Sequence, residues 1–395
     1  MTSGTSGRAV RPLIAYGDGP WAPTVDPATV AELCGLDDPD VLLGWTVEEL
    51  PWLEAAPPGR LSSMSAGYRL GRAIAAGVVD ARSTAISAMP ELLRGRLRPD
   101  VVVVSGRPSG TGFVFGASVG WTHAAAMAAR RGVVVDVRPG LPAYDAPPIP
   151  GEILAVVEGP RAVPAPKAAP AERVGSSEPG RAADSSPARR APSPAEEAIG
   201  AAVAELIPPG ATLELGLGTI CDAVAEALSV GVRIRSGMVT DTLVDLDRRS
   251  LLLDRAEATY AWGGDHLAAL SAAGRLRLVP SDQSHDVARL AAMEQFTAVN
   301  SALEVGLDGA VNVEVLDGRP VAGIGGHRDF STAAVRSAGG LSIVALPSLR
   351  RGRSTIVAAV EHVSTPAAAV HVVVTEHGIA DLRDTDEGER RRRLV

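Results

Sequence analysis

The stretch Thr212-Leu-Glu-Leu-Gly-Leu-Gly-Thr-Ile-Cys-Asp222 decides the fold class of this chain. Its short apolar start predicts a strand over Thr212–Leu215, and the glycines that follow predict a tight turn into a helix from Asp222 to Leu228. A strand, a glycine turn and a helix in this order are typical of a parallel α/β unit. Peptide N–H groups at such a helix start can stabilise an anion or an oxyanion. The third glycine of a dinucleotide-binding fingerprint is missing, and a plain tight turn is the alternative interpretation.

The same alternation of short apolar runs and helical patterns continues on both sides of this stretch. Before it, the sequence predicts strands over 13–16, 101–105 and 133–137, helices over 25–33 and 122–130, and a turn over 106–110. After the Pro/Ala-rich region described next, it predicts helices over 194–206 and 331–337 and strands over 342–346 and 370–375. The chain is therefore expected to have an α/β fold on both sides of that region.

A Pro-, Ala- and Ser-rich segment divides the 395-residue chain into two blocks of similar size. From Gly159 to about Ala195 no buried-strand pattern is present, and this composition is typical of a linker or a surface insertion. We therefore predict an N-terminal α/β domain over 1–158, a flexible linker over 159–195 and a C-terminal α/β domain over 196–395. The fold class is two related open α/β domains joined by a linker.

Composition excludes several classes of protein. A net charge of −8 indicates no electrostatic footprint for nucleic acid. No apolar run reaches the roughly 18 residues of a membrane helix, and the N-terminal residues lack a signal-peptide pattern. Cys34 and Cys221 are too few for a disulfide framework or a cysteine zinc site, and no His-Glu-x-x-His spacing predicts a metal. The expectation is a cytoplasmic protein without a metal.

A second glycine loop, Gly323-Ile-Gly-Gly-His-Arg-Asp-Phe330, also precedes a predicted helix. Its glycine density allows a ligand to approach the backbone closely. Asp329 has a simpler interpretation as the helix N-cap. From the sequence alone, a structural and a functional interpretation of this loop are equally supported.

Several ordered motifs resemble the acetyl-CoA hydrolase/transferase family, which contains 4-hydroxybutyrate, butyrate and succinate CoA-transferases. The resemblance covers roughly Pro58 to Arg383 and is interrupted by the predicted linker. Its motifs are Phe113-Val-Phe-Gly-Ala-Ser-Val119, Gly216-Leu-Gly-Thr-Ile-Cys-Asp-Ala-Val224, Asn300-Ser-Ala-Leu-Glu-Val305, Gly323-Ile-Gly-Gly-His-Arg-Asp-Phe330, Gly339-Gly-Leu-Ser-Ile-Val-Ala-Leu-Pro-Ser348 and Val373-Val-Thr-Glu-His-Gly-Ile-Ala-Asp-Leu-Arg383.

The resemblance implies an active site between two α/β domains and a ping-pong reaction. A glutamate attacks an acyl-CoA thioester, and the resulting anhydride is converted by CoA to a glutamyl-CoA thioester that a second carboxylate attacks. The implied oxyanion donors are the backbone N–H groups of Leu217 and Gly326. The implied thioester-binding glycines are Gly216, Gly218, Gly323, Gly325 and Gly326. The implied partners are an acyl-CoA and a small carboxylate or water, with no permanently bound cofactor and with a homodimer as one option.

The implied glutamate is missing. Aligned through Met238, Asp241 and Asp245, the segment Ile234-Arg-Ser-Gly-Met-Val-Thr-Asp-Thr-Leu-Val-Asp-Leu246 places Gly237 at its position. His285 falls near an asparagine that helps to orient that glutamate in the family.

Three other residues are candidates to act in place of the glutamate. Cys221 near a helix start is a candidate thiolate, although a small buried side chain is the simpler interpretation. Glu304 and His285 are further candidates, with structural roles as the alternatives.

Three hypotheses remain open at the level of the sequence. The first is a thioester transferase or hydrolase without the usual glutamate. The second is a non-catalytic protein that binds thioesters or regulates a partner. The third is an enzyme of altered acyl-transfer chemistry.

Overall fold

The computed structural model describes residues 11–159 and 191–395. Most of the predicted linker, 160–190, therefore lies outside the described residues. The described chain forms two α/β lobes, as the sequence predicts. None of the helices described in these two ranges is long and apolar enough to cross a membrane.

The N-terminal lobe is built on a mainly parallel sheet. Its strands are β1 (Leu13–Tyr16), β2 (Asp40–Leu43), β3 (Leu61–Ser63), β4 (Val79–Ala81), β5 (Val101–Ser109), β6 (Gly112–Phe115), β7 (Gly132–Val137) and β8 (Ile153–Glu158). Its helices are α1 (Pro27–Cys34), α2 (Gly71–Ala75), α3 (Met89–Arg94) and α4 (Thr122–Ala128). The strand order is β4-β3-β2-β1-β5-β7-β8, and β6 pairs antiparallel with β5.

The core of this lobe follows from the valine run of β5. Val101, Val102, Val103 and Val104 are fully buried between neighbouring parallel strands. Full burial of one such side chain stabilises a fold by about 1.5–3 kcal/mol. The turn predicted at 106–110 is wrong in its extent, because β5 continues to Ser109 by pairing with β6.

The C-terminal lobe contains a second mainly parallel sheet with smaller strand pairs around it. Its strands are β9 (Thr212–Leu215), β10 (Arg233–Ile234), β11 (Met238–Thr240), β12 (Ala256–Ala258), β13 (Tyr260–Trp262), β14 (Leu276–Leu278), β15 (Phe296–Ser301), β16 (Glu304–Gly306), β17 (Val311–Asn312), β18 (Val315–Leu316), β19 (Arg319–Pro320), β20 (Leu341–Ala345), β21 (Leu349–Arg350), β22 (Arg353–Ser354), β23 (Ile356–Val357), β24 (Val372–Thr375) and β25 (Gly378–Asp381). The main sheet has the order β10-β9-β15-β20-β24-β25, and β25 is antiparallel to β24.

Several helices of this lobe begin directly after a capping residue or a glycine. They are α5 (Pro194–Glu205), α6 (Thr219–Ala227), α7 (Thr242–Arg248), α8 (Asp265–Ala272), α9 (Ser281–Ser284), α10 (Val287–Ala291), α11 (His327–Arg336) and α12 (Glu387–Leu394). A capping box between Ser193 and Glu196 starts α5. The helices α6 and α11 start earlier than predicted, because each begins directly after the last glycine of its loop.

Candidate active site

A cavity of about 290 Å³ lies between the two lobes and is lined by both glycine loops. Gly216 and Leu217 contribute from the first loop, and Gly323 to Gly326 contribute from the second. Gly218 instead lines a neighbouring cavity of about 80 Å³. The structure thus brings the two loops to one cavity, and the oxyanion role of Leu217 and Gly326 stays a prediction.

The first loop stands at the carboxyl end of the parallel sheet, where open α/β sheets commonly bind ligands. The backbone N–H of Gly216 donates to the carbonyl of Val299 at 2.9 Å. A β-carbon on Gly216 would lie 3.0 Å from Oδ1 of Asn300, so this close approach favours glycine. Gly218, at a φ of 117°, then turns the chain into α6.

The second loop is held by the N-terminal lobe. The N–H of Ile324 donates to Oγ of Ser83 at 3.2 Å, and the N–H of Ile86 donates to the carbonyl of Gly325 at 3.4 Å. The N-cap interpretation of Asp329 is wrong, because Gly326 is the N-cap of α11. The Asp329 carboxylate lies in the first turn and accepts hydrogen bonds from the N–H and hydroxyl of Ser87, at 3.0 and 2.6 Å.

Gly237 and His285 both line the cavity between the lobes. The His285 ring is buried, its Nδ1 lies 2.9 Å from Oγ of Ser284, and it packs against Phe330 with ring centroids 4.7 Å apart. Burial lowers the pKa of His285 to about 3, so the ring is neutral at physiological pH. The side-chain-free backbone of Gly237 therefore faces an uncharged imidazole.

Cys221 and Glu304 lie away from this cavity. Cys221 lines the smaller one, its Sγ lies 3.8 Å from the carbonyl of Val299, and burial raises the pKa of its thiol. A protonated thiol is a weak nucleophile, so this environment does not favour the thiolate hypothesis. The Glu304 carboxylate accepts a hydrogen bond from Nδ2 of Asn312 at 3.1 Å in the strand pair β16–β17.

One carboxyl group at the cavity is not among the residues that the sequence predicts. Glu214 on β9 is 2% exposed, lines the cavity, and accepts a hydrogen bond from Nδ2 of Asn300 at 2.7 Å. Burial raises the pKa of Glu214 to about 8 in spite of that hydrogen bond. The available signal was a lone charged residue inside a short apolar strand next to a glycine loop.

A second buried carboxyl group, Asp18, contributes from the N-terminal lobe. Its oxygens accept hydrogen bonds from the hydroxyl of Thr122, at 2.9 Å, and from the hydroxyl of Tyr260. Burial raises the pKa of Asp18 to about 6. The contact with Tyr260 joins the two lobes at the cavity wall.

His327, at the start of α11, is also buried at the cavity. Its Nδ1 lies 2.9 Å from Oγ1 of Thr365, whereas its Nε2 has no hydrogen-bond partner among the described residues. Burial lowers the pKa of His327 to about 4. A neutral ring nitrogen is thus available to a polar group in the cavity.

Both lobes supply apolar side chains to the cavity wall. Trp45 packs against Tyr68 and Tyr260 with ring centroids 4.9 and 5.3 Å apart. Met64, Met89 and Trp121 line the same cavity. An apolar wall that faces a few polar groups is typical of small-molecule sites.

Within the ranges that the structure describes, no group of three or more His, Cys, Asp or Glu is placed to hold a metal ion.

Comparisons with known proteins agree with this architecture. Residues 266–395 match the acetyl-CoA hydrolase/transferase C-terminal domain. The chain is 27% identical over 230 residues to butyryl-CoA:acetate CoA-transferase of Anaerostipes caccae, an alignment that covers 51% of this chain and 50% of that protein. The chain thus spans about half the length of the curated relatives that it matches.

Solved structures resemble nearly the whole chain. RipA from Yersinia pestis has a TM-score of 0.78 at 25% identity, covering 98% of this chain and 91% of its own. The 4-hydroxybutyrate CoA-transferase of Porphyromonas gingivalis shares the fold with a TM-score of 0.74 at 24% identity, covering 97% of this chain and 89% of its own. Residues 266–395 thus resemble the C-terminal domain of the acetyl-CoA hydrolase/transferase family, and nearly the whole chain shares the fold of RipA and of a 4-hydroxybutyrate CoA-transferase.

Proposed function

We propose that the chain acts on a CoA or pantetheine thioester in the cavity between its lobes, by a route that does not use the glutamate of its relatives. The observation that carries this proposal is the convergence of Leu217 and Gly326 on one cavity. Backbone N–H groups at that point are suited to the oxyanion of a thioester under attack. The apolar wall around Trp45 is suited to the acyl chain.

Gly237 is the reason for proposing an altered route. It lines the cavity directly before β11, at the position where the family resemblance implies a glutamate. Without a carboxylate there, the acyl-glutamyl and glutamyl-CoA intermediates of ping-pong transfer cannot form at this position. The substrates that follow are an acyl-CoA together with water or a small carboxylate, and no permanently bound cofactor is required by this chemistry.

The same observation supports a second candidate. A family member without the nucleophile would act as a thioester-binding or regulatory protein, because backbone contacts from the glycine loops do not depend on the side chain at 237. Binding and turnover separate the two candidates.

The test measures both quantities on the same protein. Acetyl-, butyryl- and benzoyl-CoA are titrated by calorimetry, and thiol release is then followed with and without acetate. Binding with thiol release supports the enzyme, and binding without release supports the second candidate. Absence of both contradicts the proposed function.

A further inference from the structure

Glu214 lies at the cavity, close in the chain to the loop that carries Leu217. It is the third residue of β9, and the first glycine loop begins two residues later. Its carboxylate is buried at the cavity and is held by the Asn300 amide from the adjacent strand β15. Asn300 also contacts the loop, since its Oδ1 lies 3.0 Å from the β-carbon position of Gly216. One amide therefore fixes the carboxylate relative to the loop that carries Leu217.

The other titratable groups at this cavity are less suited to be the base. Both oxygens of Asp18 are engaged, by Thr122 and Tyr260. His285 and His327 have pKa values lowered to about 3 and about 4, so each is a weak proton acceptor. A general base works best when its pKa lies near the working pH, and burial holds the Glu214 pKa at about 8.

Cys221 on α6 is a further ionisable group that interacts with Glu214. Burial, and after it the negative charge of Glu214, raises the pKa of the Cys221 thiol above its usual value. Asn300 on β15 is uncharged. Among these groups only Asp18, with a pKa near 6, and Glu214, with a pKa near 8, change charge between pH 5 and 9.

We propose that Glu214 is the catalytic general base of a thioester hydrolase, with Asn300 as its positioning residue. This inference rests on the proposed function and names its reaction. The ionised carboxylate takes a proton from water, and the water oxygen bonds to the thioester carbonyl carbon. The carbonyl oxygen becomes an oxyanion beside Leu217 and Gly326. Collapse of this intermediate breaks the C–S bond, and the proton held by Glu214 passes to the departing CoA thiolate. The products are a carboxylic acid and free CoA, with no covalent enzyme adduct.

The experiment compares wild-type protein with Glu214→Gln, which keeps the shape and removes the base. Glu226→Gln is the matched control, because Glu226 is exposed on α6. Each protein is titrated with butyryl-CoA by calorimetry, and thiol release is measured from pH 5 to 9. A single turnover in H₂¹⁸O follows, with mass analysis of the released butyrate and of the peptide that contains Glu214.

We expect Glu214→Gln to bind butyryl-CoA as tightly as wild type and to release thiol about 10²–10⁴-fold more slowly. Wild-type release should rise with pH through about 8, and ¹⁸O should enter butyrate only. Asp18→Asn distinguishes the titration of Asp18 from that of Glu214. If the rate of thiol release rises near pH 6 and Asp18→Asn abolishes that rise, the assignment of the base to Glu214 is contradicted.

The remaining outcomes are also decisive. Thiol release by Glu214→Gln at the rate of Glu226→Gln would contradict the base assignment and leave the proposed function standing. ¹⁸O in the Glu214 carboxylate would show an anhydride and overturn the base role in favour of a nucleophile. Binding without release by wild-type protein would overturn this inference in favour of the thioester-binding candidate. Absence of both butyryl-CoA binding and thiol release in the wild-type protein would contradict the proposed function itself.

Discussion

A β-carbon on Gly237 would lie 3.1 Å from Nε2 of His285, which is tighter than an ordinary van der Waals contact. The same nitrogen lies 2.7 Å from the β-carbon position of Gly326. His285 therefore occupies the space into which any side chain at 237 would project. The glycine at position 237, where the family resemblance predicts a glutamate, and the presence of this histidine are therefore coupled features of one cavity wall.

This coupling predicts how transferase chemistry can be introduced. Gly237→Glu alone should give little CoA exchange, because the new side chain meets His285 and Phe330. Gly237→Glu combined with His285→Asn removes the imidazole and should exchange CoA between butyryl-CoA and labelled acetate faster than either single variant. Equal exchange by the double variant and the parent protein would contradict the assignment of position 237.

Gly326 should tolerate no side chain. A β-carbon there would lie 2.5 Å from Cε2 of Phe330 and 2.7 Å from Nε2 of His285, so Gly326→Ala must displace the loop. Since a shift of about 1 Å in a reacting group can cost roughly 10²-fold in rate, we expect at least a tenfold loss of thiol release. Gly264→Ala is the matched control, with nothing within 4 Å of its β-carbon position. Similar rates for both variants would contradict this role of the loop.

Glu214 should make stability depend on pH. Burial raises its pKa from 4.5 to about 8, so between these values the folded protein retains a proton that the unfolded chain releases. Its stabilising contribution is complete below pH 4.5 and is lost as pH rises through about 8. The Tm of Glu214→Gln should therefore exceed that of wild type increasingly towards pH 8, whereas Glu226→Gln should follow wild type. A constant difference in Tm across this range would argue against the buried carboxyl.

The contact between Ser87 and Asp329 should stabilise the arrangement of the two lobes. Ser87→Ala removes the 2.6 Å hydrogen bond to a buried carboxylate and should lower the free energy of unfolding by about 1–3 kcal/mol. Ser229 is exposed, and the control Ser229→Ala should change the free energy of unfolding by no more than about 0.5 kcal/mol. Chemical denaturation measures the free energy of unfolding of both variants. Equal losses in Ser87→Ala and Ser229→Ala would show that the contact contributes nothing to stability.

Local sequence signals predicted much of the fold. The strands Leu13–Tyr16 and Thr212–Leu215 were predicted at their observed ends, because turn residues bound them. The starts of α6 and α11 were missed by three or more residues, because a glycine loop can pass directly into a helix. The loops, Gly237 and His285 could be assigned to one site only through the family resemblance.

The polar partners in the cavity could not be predicted from local patterns. In the local sequence, Glu214 looks like any single polar residue in a strand. Only the pairing of β9 with β15 places Asn300 beside it. Asp18 and Tyr260 are 242 residues apart in sequence, so their contact arises from the docking of the two lobes. Burial of such groups, and hence their shifted pKa values, is a property of the folded chain.

Hydrolysis without a covalent relay is tested most directly when acyl-CoA and labelled acetate are followed together in one reaction with the wild-type protein. Free thiol, labelled acetyl-CoA and any borohydride-reducible glutamyl-CoA adduct are measured at the same time points. We expect thiol release in amounts equal to the free acid formed, almost no labelled acetyl-CoA and no trapped adduct. Rapid formation of labelled acetyl-CoA with a trapped adduct would contradict this expectation, because a covalent carboxylate relay would then operate without a glutamate at position 237.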